Sequence, residues 1–130
     1  MRKPERWVVG AGGVKGSIQL EPAPADVAAV LSRPGFGLCF LSHLYLHPSL
    51  RGKGYSEPLL RAALGWAEKR GYDVWLYCAP YGPARVRGRA VRQNVAALKK
   101  LYRRWGFRHT RAARYENAMV RRCSSQPKQP

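Results

Sequence analysis

Acidic side chains are scarce in this chain. Among 130 residues there are 7 Asp and Glu against 24 Lys and Arg, so the net charge is +17. No apolar run approaches the roughly 18 residues that span a bilayer, and the charged start of the sequence precedes no apolar signal segment. These absences argue against a helical membrane protein and predict a soluble, cytoplasmic protein with no membrane partner.

Cysteine is also scarce. Cys39, Cys78 and Cys123 are odd in number and show no C-x-x-C spacing. Buried free thiols in a reducing compartment are therefore favoured over disulfides or a metal site. His43 and His47 do not change this prediction, because four residues along a strand separate them by about 13 Å. We expect no metal.

The length and the charge distribution suggest one domain with a basic C-terminal half. Chains of about 100–150 residues usually form a single domain, which we expect at residues 1–122, followed by a disordered polar tail at 123–130. Residues 81–130 hold 14 basic side chains and only Glu116, a net charge of +13. Such a field attracts polyanions, so an anionic cofactor, nucleic acid or an acidic protein are all open as partners.

Hydrophobic periodicity and breaker residues predict the order of secondary structure. The first half of the chain is predicted to form a hairpin of strands 7–9 and 17–20 with one solvent-exposed face, a short helix at 24–31, and a long central strand at 37–47 with a bulge near Ser42 and His43. A helix at 57–70 and a strand at 73–79 follow. The remaining predicted elements are an exposed basic loop at 80–92, a helix at 94–105, and short strands at 107–110 and 117–121. The order strand, helix, strand in the middle of the chain predicts a parallel crossover.

A glycine-bearing loop joins the long strand to the next helix. Its residues are Arg51, Gly52, Lys53, Gly54, Tyr55 and Ser56. A loop that opens a helix presents unpaired backbone N–H groups to a phosphate, and glycines allow the close approach. The loop therefore predicts an anion site, with an ordinary tight turn and two solvated cations as the alternative.

Two motifs in order around a strand point to a known family. The first is the strand Leu44-Tyr45-Leu46-His47-Pro48 with the loop Arg51 to Ser56, similar to R/Q-x-x-G-x-G/A. The second runs from Asn94 to Phe107, similar to N-x-x-A-x-x-L-Y-x-x-x-G-F. Together, over residues 37–121, they resemble the GNAT superfamily of acyl-CoA-dependent N-acyltransferases.

The resemblance implies an α/β (α+β) fold. Its sheet is mixed and mostly antiparallel, with a splayed parallel pair of central strands and flanking helices. The chain resembles the family from its second strand onward and lacks the N-terminal strand and helices that often shape the acceptor pocket, so no acceptor is transferred. Short phage-borne members end in a strand similar to residues 118–121, which suggests a phage-like origin.

The resemblance also implies a site. The backbone of Arg51, Gly52, Lys53, Gly54, Tyr55 and Ser56 would hold the coenzyme A pyrophosphate. The pantetheine arm would pass between the two central strands, pair with backbone near Leu44 and Leu46, and bond to Asn94. Tyr102 would protonate the departing thiolate as a general acid. From helical spacing alone, the commoner case is that Tyr102 is a core aromatic on one stripe with Leu98 and Trp105.

The implied activity is transfer of acetyl from acetyl-CoA to a primary amine by direct attack. Many members place a carboxylate base on the long strand, but residues 40–45 contain none. His43 could serve as the base directly or through water, or could fill a bulge. The competing interpretation is a catalytically silent binding protein on a GNAT scaffold, which docks nucleic acid, nucleoprotein or an acidic protein through residues 85–122.

Overall fold

The computed structural model describes residues 3–9, 16–46, 54–78 and 88–124; it does not describe the side chains of Leu46 and residues 88–94. The strands are Glu5–Val9 (β1), Gly16–Pro22 (β2), Gly37–Leu46 (β3), Tyr72–Tyr77 (β4), Arg108–His109 (β5) and Ala118–Arg121 (β6). The helices are Ala25–Leu31 (α1), Ser56–Lys69 (α2) and Gly88–Arg104 (α3). No helix among these residues is long and apolar enough to cross a membrane.

The described strands form one mixed sheet in the order β1-β2-β3-β4-β6-β5. All neighbouring pairs are antiparallel except β3 and β4, which are parallel. The predicted hairpin and crossover are therefore both confirmed. Ser17 is fully buried, so the solvent-exposed face predicted for β2 is wrong at that position.

Helix α2 covers one face of the sheet. Its buried residues recur at helical spacing and are Leu59, Leu60, Ala63, Leu64 and Ala67. They form one core with the strand residues that point to this side, including Ile18, Cys39 and Leu76, and α3 joins this core through Tyr102. We call this side the α2/α3 face.

The opposite side, the α1 face, has a smaller core. Val27 and Leu31 of α1 pack there with Trp75, Ala113 and Ala118. Because successive strand residues point to opposite faces, both faces of β3 and β4 are covered. This explains why the long strand is almost continuously apolar.

The beginning of α3 differs from the sequence prediction. The helix begins at Gly88, whereas the sequence predicted a loop through residue 92. The segment from Arg89 to Gln93 contains Ala, Arg and Gln, which favour helix, but it lacks the apolar period on which the prediction relied. Two of the four predicted loop arginines, Arg89 and Arg92, therefore lie on the helix backbone.

Two carboxylates, Asp73 and Glu68, hold the end of β6 and the residues after it. Fully buried Asp73 accepts bonds from Arg33 (2.8 and 2.7 Å), from Arg122 (2.9 Å) and from the N–H of Cys123 (2.7 Å). These bonds outweigh the opposing effect of burial and hold the pKa of Asp73 below its ordinary value. Glu68 accepts bonds from Arg121 (3.1 Å) and from the N–H of Ser124 (2.9 Å). Cys123 is buried, residues 125–130 lie outside the described residues, and the disordered tail stays a prediction.

Candidate active site

The two parallel strands separate halfway along β3. Their register runs from Gly37 opposite Tyr72 to Phe40 opposite Trp75 and ends there. Beyond that point a cavity of about 200 Å³ lies between them, lined by residues 40–44, residues 76–78, Leu98 and Tyr102. The parallel pair is thus splayed, as the sequence predicted.

The wall of the cavity contains residues from both faces of the sheet. Leu41, Leu44 and Leu76 belong to the core of the α2/α3 face, where Tyr102 also lies. Phe40 packs on the α1 face. His43 directly precedes Leu44 in β3, so it points to the side opposite Leu44, which is the α1 face.

A β-bulge lies in the wall of the cavity, at the position that the sequence predicted. Gln19 pairs with His43 and Leu20 with Leu41, so Ser42 is the extra residue of β3. The hydroxyl of Ser42 is buried and has no hydrogen-bond partner in the described part of the chain. Because buried polar groups are usually satisfied, this hydroxyl is suited to a polar atom of a bound molecule.

Tyr102 packs in the core and also borders the cavity, so its proposed role as general acid stays a prediction. It is 6% exposed and packs edge-on against Phe107, with ring centroids 5.5 Å apart and planes at 65°. It also lines the cavity. Core packing therefore holds the ring in place while it borders the space in which the reaction would occur.

His43 lies at the α1-face side of the cavity and is half-buried. Its ring lies nearly parallel to that of Tyr45, at 6.2 Å between centroids and 21° between planes. Leu44 lines the cavity beside it. Leu46 ends β3, and its side chain is outside the description.

Cys78 is the thiol in the cavity wall. It is 4% exposed, and its Sγ lies 3.9 Å from the Sδ of Met119. Burial raises the pKa of this thiol, although Lys99 and Arg103 act in the opposite direction. A thiol with a raised pKa stays protonated near neutrality and is a poor nucleophile. Cys39, Cys78 and Cys123 are all free and buried, as predicted.

The end of the glycine-bearing loop leads directly into α2. Gly54 has a φ of +79°, and no heavy atom of the described residues lies within 4 Å of where its Cβ would be. Its carbonyl accepts a bond from the N–H of Glu57 (3.2 Å). Tyr55 is the N-cap without a side-chain bond, and Ser56 begins the helix. Arg51, Gly52 and Lys53 lie outside the described residues.

Asn94 lies on the backbone of α3, eight residues before Tyr102. At about 1.5 Å of rise per residue, this places it about 12 Å earlier along the helix. Its side chain is outside the description, so its bond to the pantetheine arm stays a prediction. Further along the helix, Lys100, Arg103 and Arg104 are exposed, as the basic-surface interpretation expected.

A carboxylate and four aromatic side chains on the α1 face were not singled out from the sequence. The aromatic residues, here called the aromatic row, are Phe40, Trp75, Tyr77 and Tyr115. Glu21 lies on β2 opposite Phe40. The signal that could have found Glu21 is the period of two along β2, but it needs the strand register, which the sequence does not contain.

Comparison with known proteins fits this geometry. The family model described as "Acetyltransferase (GNAT) domain" matches residues 4–109. Because the match covers most of the chain, the protein belongs to the GNAT acetyltransferase family. The resemblance read from the two motifs is thus confirmed. A search of curated protein sequences found no match.

Solved structures agree on the fold at low sequence identity. A GNAT acetyltransferase from Desulfovibrio desulfuricans, described as putative, is 14% identical with a TM-score of 0.65, covering 94% of this chain and 70% of its own. A Staphylococcus aureus GNAT acetyltransferase is 12% identical with a TM-score of 0.61, covering 93% of this chain and 68% of its own. Arabidopsis thaliana NAA60, solved with a bisubstrate analogue, is 14% identical with a TM-score of 0.64, covering 92% of this chain and 76% of its own. None of these relatives is described as a phage protein, so the phage-like origin stays a prediction.

Proposed function

We propose that the protein is an N-acetyltransferase that moves acetyl from acetyl-CoA to a primary amine by direct attack. Membership of the GNAT family supports acyl transfer. The observation that carries the proposal is the cavity at the divergence of β3 and β4, because residues from both faces of the sheet line it and Tyr102 is in its wall. A thioester and an amine that entered from opposite faces would meet in it.

The described residues fit a thioester arm in this cavity. Leu41, Leu76 and Leu98 supply apolar walls, and the buried hydroxyl of Ser42 lacks a partner. A carbonyl or amide oxygen that reached Ser42 would accept a bond that the chain itself does not provide. Backbone amides at the bulge are further donors for the charge that develops on the thioester oxygen.

The coenzyme A diphosphate would lie at the start of α2. The helix has 14 residues, and its N-terminus carries the positive end of the helix dipole. Gly54, in the left-handed region with open space around it, lets the backbone approach a phosphate closely. Arg51, Gly52, Lys53, Tyr55 and Ser56 complete the proposed loop, and Leu44, Leu46 and Asn94 remain the proposed contacts of the pantetheine arm.

In the proposed reaction, the amine nitrogen attacks the thioester carbon, a C–N bond forms and the C–S bond breaks. His43, or a water bound to it, takes a proton from the nitrogen. Tyr102 gives its hydroxyl proton to the leaving sulfur and regains one from solvent, to which His43 releases the proton taken from the nitrogen. The raised pKa of Cys78 supports direct attack, because a buried, protonated thiol cannot readily form an acetyl-enzyme.

The test is to incubate a cell extract with the protein and isotopically labelled acetyl-CoA, and to identify labelled products by mass spectrometry. We expect acetylated amines that are absent with extract alone and strongly reduced with Tyr102→Phe. No labelled product from the active preparation would overturn the proposal. Salt-dependent binding to nucleic acid in the same protein, with no acetyl transfer, would favour the silent binding protein instead.

A further inference from the structure

Glu21 differs from the other acidic residues in its surroundings. Within the described residues, four acids form ion pairs with arginine: Asp26, Glu57, Glu68 and Asp73. Glu21 instead accepts a hydrogen bond from a neutral amide, with Gln19 Nε2 at 3.0 Å from its Oε2. It is half-buried. In a chain with a net charge of +17, a half-buried carboxylate beside a neutral partner keeps its charge available to a cationic ligand.

The register places Glu21 beside the cavity. Glu21 lies directly opposite Phe40 in the antiparallel pair of β2 and β3, so both side chains point to the α1 face at about 5 Å between their Cβ atoms. Phe40 lines the cavity. The carboxylate is therefore within the length of one side chain of the opening on this face.

Aromatic side chains continue from Phe40 along the α1 face. The rings of Phe40 and Tyr77 lie 5.7 Å apart at 15°, and those of Tyr77 and Tyr115 lie 5.1 Å apart at 14°. Tyr77 is 41% exposed and, like Phe40, lines the cavity. Because these rings stack on one another, an apolar group bound here would contact ring edges and the exposed part of Tyr77.

We propose that the α1-face opening is the acceptor site, and that it selects a primary amine carrying a positive charge beside a flat apolar group. Glu21 binds the ammonium, and Phe40 and Tyr77 contact the apolar group. The inference rests on the proposed acetyl transfer and specifies its acceptor. It adds no chemical step, since Glu21 acts on binding and His43 keeps the role of proton acceptor.

Among the described residues, the other charged groups on this face are exposed or paired. Asp73 points to this face from β4 but is fully buried and paired with Arg33 and Arg122. Arg6 of β1 and His43 of β3 lie opposite Gln19 in the register, and Arg6 is exposed. Beyond the aromatic row, Arg114 lies over Tyr115 at 5.9 Å and is paired with Asp26 at 3.4 Å. Glu21 is therefore the acid positioned to attract an ammonium group at the opening, and a carboxylate on the acceptor would oppose it.

Steady-state kinetics with three probe amines test the proposal: 2-phenylethylamine, ethylamine and phenylalanine. We expect the native protein to show the highest kcat/KM with 2-phenylethylamine and at least roughly tenfold less with phenylalanine, whose carboxylate would meet Glu21. Glu21→Gln should raise KM for 2-phenylethylamine roughly 10- to 100-fold, since a charge-assisted bond becomes a neutral one. Its affinity for acetyl-CoA should stay unchanged.

Glu5→Gln is the matched control. Glu5 is exposed on β1 and lies opposite Leu20 of β2. Because Leu20 belongs to the core of the α2/α3 face, Glu5 points to that face, and its replacement should leave KM unchanged. Tyr77→Ser should reduce the preference for 2-phenylethylamine over ethylamine. An active native protein whose KM is unaffected by Glu21→Gln, or which prefers phenylalanine, overturns the acceptor assignment alone. If the native protein acetylates neither the three probe amines nor any amine in the extract, the result overturns both the acceptor assignment and the proposed function.

Discussion

Replacing Tyr102 by Phe removes one hydroxyl from the cavity and tests the proposed general acid. The ring is 6% exposed and packs against Phe107, and Phe can keep that contact. We therefore expect the variant to fold, with a loss of stability of about 1 kcal/mol at most, the typical worth of one hydrogen bond. General acid catalysis typically contributes 10²- to 10⁴-fold, so kcat should fall by roughly that factor.

The assay is thiol release from acetyl-CoA in the presence of a saturating amine, combined with calorimetry of acetyl-CoA binding. The expected result is a lower kcat with a dissociation constant within about threefold of the native value, because the hydroxyl acts mainly as the sulfur departs. Tyr72→Phe is the control, since Tyr72 begins β4 and its ring stacks on Trp66, away from the cavity lining. An unchanged kcat in Tyr102→Phe would refute the assignment, and an equal loss in Tyr72→Phe would show that the effect is not local.

Three further predictions concern the loop and the carboxylates that hold the C-terminal strand. Gly54→Glu should weaken acetyl-CoA binding roughly tenfold or more in calorimetry, because it combines a strained φ of +79° with a negative charge. Gly65→Glu is the control and should leave binding unchanged, because the described residues leave open space beside Gly65 on α2. Hydrogen bonds from Ser124 and Arg121 outweigh the burial of Glu68 and lower its pKa from 4.5 to about 2. Glu68 thus contributes about 3 kcal/mol to the free energy of unfolding above pH 4.5, and this contribution is lost as the pH falls through about 2. The stability of Glu68→Gln should lack this pH dependence in acid unfolding. A pH profile identical to that of the native protein would contradict the prediction. Arg33→Ala should lower the free energy of unfolding by about 3 kcal/mol in denaturant, because it leaves the buried charge of Asp73 with fewer partners. Arg114→Ala removes one partner of an exposed pair and should lower it by less than about 1 kcal/mol. Similar losses in the two variants would contradict the account.

The sequence was sufficient to predict the features that depend on local pattern. The stripe of α2 has helical spacing, and the polar pair Ser42 and His43 interrupts an apolar strand, so the helix and the bulge could both be located. The parallel pair followed from the order of the elements. Tyr102 and Gly54 could be singled out because two motifs resembled one family.

What the sequence could not supply depends on the register and on distant partners. Glu21 lies beside a lining residue of the cavity only because β2 pairs with β3 so that Phe40 is opposite it. Cys123 is ordered because its N–H bonds to Asp73, 50 residues away, whereas its own neighbours resemble a polar tail. The first turns of α3 were missed because they contain few apolar residues, and helix propensity alone is a weak signal.

The central claim is that the space between the diverging strands receives the thioester arm of acetyl-CoA. Calorimetric titration of acetyl-CoA into the native protein, Leu98→Trp and Leu101→Trp tests it most directly. Both leucines are half-buried on α3, but Leu98 lines the cavity and Leu101 is not among its lining residues. The account predicts saturable one-to-one binding that Leu98→Trp abolishes and Leu101→Trp retains. Absent binding in the native protein, or equal binding in the two folded variants, would contradict it.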